Sequence, residues 1–294
     1  MGRGWGLGPG ETRRAAPMWT ATLALWNIQV QGVAERLMAA EFDAAWRASY
    51  MDQLRALLPG KCRDGLELLP FTETLEALGH AGEEEVGRRD VPLDAIVGSV
   101  GRVGDFDHKM RPRQAHLRER WEALAQAQRD LPPVRLLQLG ELYFIEDGHH
   151  RVSIARARRF PSVRASVRRI CTTVCVTRHL TLADLPAKAA ERVFLERVPL
   201  PDDVRLTLKL DCPSDWRAAA EAAEAWGFRQ SLAGRTISDR CELATAWWEH
   251  EVAPVVRELR GRGIYVSGAD LDDYLRHRPE SPTLGPDELS PLSG

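Results

Sequence analysis

Apolar positions recur at helical spacing early in the chain. Leu25, Ile28, Val33, Leu37 and Met38 predict helix at the start of the 18–58 stretch. A second helical run is expected from Ala44 to Leu58, with Trp46, Tyr50, Leu54 and Leu57 on one face and Pro59-Gly60 as its stop. This layer reads as packing or a dimer surface and carries no chemistry. Phe71–Leu78 predicts a short helix. Glu83-Glu84-Glu85 reads as solvated surface, and Val91–Val100 as a strand turning into a helix or loop.

Residues 114–127 predict a helix with Leu117, Trp121 and Leu124 inward, ended by Pro132-Pro133. Val134–Leu139 and Glu141–Ile145 flank Gly140, a hairpin signal. A helix from His149 through Phe160 follows, and Val163–Val167 and Ile170–Val176 are again β-rich. Val204–Leu210 alternates strictly and predicts a half-buried strand. Ser214–Trp226 predicts an Ala-rich helix. Ser238–Leu259 predicts a long one, capped by Ser238, kinked at Pro254 and stopped by Gly261. Ala269–Arg276 adds a last turn or two.

These elements define an α+β protein with five regions: a disordered 1–17, a helical 18–88, a mixed core at 89–180, a mainly helical 181–278 and a loose tail at 279–294. Met18 is an alternative start to Met1. No apolar run approaches the roughly 18 residues that span a bilayer, so no membrane partner is expected. The five cysteines are an odd, scattered set, which does not indicate a disulfide framework and fits a reducing cytoplasm. Cys171 and Cys175 read as structural residues on one strand face, and Trp247, Trp248 and Tyr274 as packing residues.

Net charge is -2 for the whole chain, but the charge is unevenly placed. Residues 101–180 hold 16 Lys and Arg against 8 Asp and Glu, a basic island in an otherwise acidic protein. That asymmetry points to an anionic partner, a nucleotide or a nucleic acid, or else to arginines coating exposed helices.

The chemistry concentrates in Glu146-Asp147-Gly148-His149-His150-Arg151, at a strand-to-helix junction. Gly148 permits a tight turn with no Cβ in the way of a ligand. A helix starting at His149 exposes unpaired N–H groups that attract phosphate. Arg151 adds a guanidinium, and His149 and His150 add donors whose charge changes near neutral pH. His150 or Asp147 would orient a nucleophile in a catalytic version of the site. The alternative is a structural turn whose histidines bond to backbone. Asp105, Asp107 and His108 read as polar loop residues. No Walker A or His-Glu-x-x-His sequence is present.

Arg111-Pro112-Arg113 followed by LPPVRLLQLGELYFIEDGHHRVSIARARRFPSVRASV resembles the ParB/sulfiredoxin superfamily over about residues 90–170. The order, the spacing and the position of the glycine agree. The resemblance implies a core of short mixed strands and helices, with a nucleotide phosphate against the start of the helix. It adds Arg111 and Arg113 to Gly148, His149, His150 and Arg151 as ligand-binding candidates. In ParB the turn reads Gly-Glu-Arg-Arg and holds CTP; in sulfiredoxin it reads Gly-Cys-His-Arg and holds ATP beside a catalytic cysteine. Here His149 replaces that cysteine, which excludes sulfinic-acid repair by that route. Kinases of free serine are similar in fold, which adds magnesium or general-base work as a possibility for Glu146, Asp147 and His150. GSVGRVGDFD (98–107), DGHHR and ADLDDYLRHR (269–278) further resemble a group of ParB-like proteins whose C-terminal domain has no assigned function.

The expectation is therefore a ParB-like regulator that binds CTP, ATP or ADP, with or without magnesium. DNA and a second copy are possible partners. A phosphotransfer or phosphohydrolase enzyme and a non-catalytic scaffold are the alternatives.

Overall fold

Val134–Leu139 and Leu142–Ile145 are buried at every position but Arg135, the signature of strands covered on both faces. They belong to the β4–β5 hairpin (Val134–Leu139 and Leu142–Asp147) at the centre of a mixed six-stranded sheet in a computed structural model that describes residues 18–58, 67–127, 131–210, 212–263 and 269–278. The other strands are β1 (Leu69–Pro70), β2 (His80–Pro92), β3 (Ile96–Ser99) and β6 (Ser162–Thr172). The order across the sheet is β1-β3-β5-β4-β6-β2. Only the β4–β5 and β6–β2 pairs are antiparallel.

Helices cover both faces. On one face lie α1 (Met18–Ala56), α3 (Arg118–Gln126) and α4 (His149–Ala157). Phe42, Trp121 and Val152 meet Val134, Leu136, Ile145 and Val167 there. On the other face lie α2 (Phe71–Leu78), α5 (Leu185–Arg197), α6 (Asp202–Arg205), α7 (Pro213–Leu232), α8 (Arg240–Trp247), α9 (Ala253–Gly261) and α10 (Asp270–His277). Their Phe194, Trp216 and Trp247 share one apolar cluster with Leu137, Phe144 and Ile170 of the sheet. The sheet begins upstream of residue 89, and the helices after residue 181 have no core separate from it. Trp247 and Tyr274 pack edge to face at 5.8 Å, as expected of core aromatics.

Several elements differ from the sequence reading. The two expected N-terminal helical runs are one helix, since Ala39-Ala40-Glu41-Phe42-Asp43 between them contains no breaker. The polar stretch His80–Pro92 is a strand, stabilised at the sheet edge by cross-strand ion pairs of Glu83 with Arg168 and Glu84 with Arg169. The first β-rich stretch after Pro161 and the start of the second are the single strand β6, which ends at Thr172.

Val204–Leu210 is no strand. Pro201 and the acidic Asp202-Asp203 start a short helix there, and Leu208 and Leu210 reach the core from irregular chain. Asp239, not Ser238, caps α8 by accepting from the Glu242 amide at 2.9 Å. The kink expected at Pro254 is a π-helical turn over Trp248–Val252, where the Ala253 amide reaches back to the Trp248 carbonyl. Cys171 and Cys175 are exposed, and Cys175 lies beyond the end of β6, so neither serves the core. The expected disorder of 1–17 and looseness of 279–294 concern residues outside those described. No helix among the described residues is long and apolar enough to cross a membrane.

Candidate functional site

The hairpin strand β5 ends at Asp147, and the chain must reverse onto the sheet to start α4. Gly148 makes that elbow with φ 102° and ψ 24°, in the left-handed region. A Cβ there would lie 2.6 Å from Val134 Cγ1. The first intrahelical bond runs from the Val152 amide to the Gly148 carbonyl at 3.0 Å, and no side chain caps the helix start. The amides of His149, His150 and Arg151 thus have no intrahelical acceptor, and they sit at the positive end of the helix dipole.

This helix start opens into a cleft of about 420 Å³. Gly101 and Arg102 form one wall, Arg120 and Leu124 of α3 a second, Leu131 and Pro132 a third, and Glu146 to Arg151 the floor. Arg102 pairs loosely with Asp105 at 3.7 Å. Arg120 is exposed and has no ion-pair partner among the described residues.

The two histidines are buried, His149 to 7% exposure and His150 to 4%. His149 stacks on Phe106, and His150 meets the same ring edge-on at 5.4 Å. His149 Nε2 lies 2.7 Å from Ser99 Oγ, which also accepts from the amides of Gly101 and Arg102. With its lone pairs so engaged, the Ser99 hydroxyl donates to His149 Nε2, which leaves the ring proton on Nδ1. Both ring nitrogens of His150 are buried without a hydrogen-bond partner. Burial first, then the positive charge of Arg102, pushes each histidine down to about 4. The expected switching near neutral pH is therefore absent, and both rings are neutral at pH 7.

A pH dependence of stability follows. The unfolded chain protonates these rings near their ordinary 6.5, whereas the folded protein resists until about 4. Their contribution is fully present above pH 6.5 and lost as pH falls towards 4. Urea unfolding between pH 7 and 4 should show this loss, flattened in a His149→Gln/His150→Gln variant. Equal slopes in the two proteins would refute the assignment.

Other candidates from the sequence take different places. Arg151 stays at the elbow, but its guanidinium is committed: it donates to the Pro132 carbonyl, to Pro133 at 3.0 Å and to Asp147 Oδ2 at 2.7 Å. It holds the 131–133 wall against the helix. Arg111 and Arg113 do not line the cleft. Arg111 joins Asp107 to Asp52 of α1, each at 2.7 Å, and Arg113 pairs with Glu67. Asp107 is a loop organiser that also accepts from the amides of Lys109 and Arg111. Glu146 is bound by Arg135 and Arg168, and Asp147 by Arg151. Both carboxylates are engaged by arginines, and no group of three metal-ligating side chains occurs among the described residues.

Arg156 anchors the far end of α4. It donates to the carbonyls of Leu93, Ile96 and His108. Much of the basic island is likewise neutralised inside the fold: Arg118 binds Asp43, Arg158 binds Glu41, and Arg164, Arg168 and Arg169 face acids on β2.

Sequence reasoning did not find Ser99, Arg102 or Arg120. Ser99 and Arg102 lie in GSVGRVGDFD, noted for its resemblance alone. A single arginine on an amphipathic helix such as Arg120 carries no signal at all. No family model matches this sequence, and a search of curated proteins gives no match.

Proposed function

We propose that this is a ParB-like phosphate- or nucleotide-binding protein, with the ligand's phosphate on the start of α4 between Arg102 and Arg120. The observation that carries this reading is the convergence in one cleft of an uncapped helix start and two arginines, Arg102 and Arg120. An anion satisfies them at once, because it accepts from the amides and the guanidiniums. Arg151 shapes the site instead of gripping the ligand.

The geometry favours binding over catalysis. A base pushed down to about 4 has little proton affinity at pH 7, so His150 is a weak general base. Asp147 is held by Arg151. A regulatory role, as the resemblance suggests, needs only capture of the ligand. DNA is the less favoured anion, because so many of the island's arginines are paired within the fold.

The test is a thermal-shift panel of tripolyphosphate, ADP, ATP and CTP, each with and without magnesium. At least one compound should raise the melting temperature by a few °C through mass action. Arg102→Ala and Arg120→Ala should each weaken that compound roughly 10- to 100-fold, the range for a charge-assisted hydrogen bond. Absence of any shift, or shifts indifferent to both substitutions, would overturn the proposal.

A further inference from the structure

Over residues 35–56, helix α1 is fastened to the body along one side. Phe42 and Ser49 of that side are buried, and Glu41, Asp43 and Asp52 are tied to Arg158, Arg118 and Arg111. The opposite side is built differently. Val33, Leu37, Ala40 and Ala44 follow one another at steps of four and three residues, and Arg47, Met51, Leu54 and Leu58 continue the same steps. All eight are exposed, and the five large apolar ones are 41–62% exposed. Phe42 is two residues from both Ala40 and Ala44, and Ser49 two from both Arg47 and Met51. Two residues turn about 200° around a helix, so this second seam lies on the side away from Phe42 and Ser49, with Ala44 at the rim of a cavity that α1 shares with the body. An unbroken three-four repeat with one polar position is the pattern of a coiled-coil seam. Its large apolar residues belong to neither core cluster of the described residues.

We propose that this seam pairs with the same seam of a second copy, in antiparallel orientation. A parallel pair would set Arg47 against Arg47 inside the seam, two like charges removed from water. The antiparallel register centred between Ala45 and Trp46 avoids that. It faces Val33 with Leu58 of the second copy, Leu37 with Leu54, Ala40 with Met51 and Ala44 with Arg47. In the two central layers a small residue meets a long one, so the helices approach closely without overpacking. The Arg47 stem crosses Ala44 of the second copy, and its guanidinium meets the flank carboxylate of Asp43, which is 35% exposed and shared with Arg118. This interface is separate from the phosphate cleft and does not depend on it.

The test uses the full chain and two surface substitutions, Leu37→Glu and Leu54→Lys, made in separate proteins. Analytical ultracentrifugation of the wild type should give a dimer, and each variant alone should dissociate at least ~100-fold more readily. Both should keep the wild-type circular dichroism and, at dilutions that dissociate the wild type, its melting temperature, because both residues are exposed and lie outside the core clusters. Mixing the two variants should restore a heterodimer, since the antiparallel register sets Glu at position 37 against Lys at position 54. A parallel pair cannot be rescued in this way, so failure of the mixture to associate would overturn the register. A monomeric wild type, or a dimer indifferent to both substitutions, would overturn the interface. A monomer that Leu37→Glu destabilises would also overturn it, showing that the chain covers the seam itself.

Discussion

Gly148→Ala should destabilise the protein by ~3 kcal/mol and abolish phosphate capture. Two costs add. The backbone at φ 102° is left-handed, which a Cβ disfavours by about 1–2 kcal/mol. The new methyl would also lie 2.6 Å from Val134 Cγ1 and 3.0 Å from Arg151 Nη2. Val134 belongs to the central strand β4 and cannot withdraw, so the elbow must move, at roughly another 1–2 kcal/mol. The melting temperature should fall by roughly 6–12 °C for a chain of this size. Because the elbow aims the amides of His149, His150 and Arg151, binding should fail even at temperatures where the variant is folded. Equal melting temperatures for wild type and variant, or unchanged phosphate affinity, would refute this account.

That elbow was legible in the sequence because its signals are local. A glycine after an apolar run, followed by a helical pattern, needs no tertiary information. The same holds for the β4–β5 hairpin around Gly140 and for the inward set Leu117, Trp121 and Leu124 on α3. What local pattern could not show was partnership. β2 is a strand because Arg168 and Arg169 lie 85 residues away from the glutamates they meet. Val204–Leu210 alternates like a strand but finds no neighbouring strand to pair with. Arg111 and Arg151 look like ligand-binding arginines until their acids and carbonyls come into view. Arg120 joins the cleft only because α3 packs beside α4.

Trp121→Ala should cost still more, ~4 kcal/mol, although Trp121 touches no ligand. The indole is fully buried and meets Phe42 of α1 edge-on at 5.8 Å. Its Nε1 donates to Ser153 Oγ of α4 at 3.1 Å. Truncation leaves a cavity the size of an indole where α1, α3 and α4 meet, and it leaves the Ser153 hydroxyl unpaired; aromatic-to-alanine changes in cores cost about 3–5 kcal/mol. Collapse would draw α3 inward and shift Arg120 relative to the α4 start, so phosphate affinity should drop as well. Trp121→Phe keeps most of the volume and loses the hydrogen bond, so it should cost only ~1–2 kcal/mol. Chemical denaturation of the two variants separates the contributions. If alanine costs no more than phenylalanine, the junction is not held by this side chain.

Helix α4 is held at both ends: Arg151 grips the 132–133 carbonyls at its start, and Arg156 grips three carbonyls near its finish. The amides at its start are therefore aligned by folding itself, before any guest arrives. A small anion docks into a ready-made receptor and needs no segment to crystallise around it. Selectivity among phosphate compounds must then come from how the rest of each molecule fits the rigid walls.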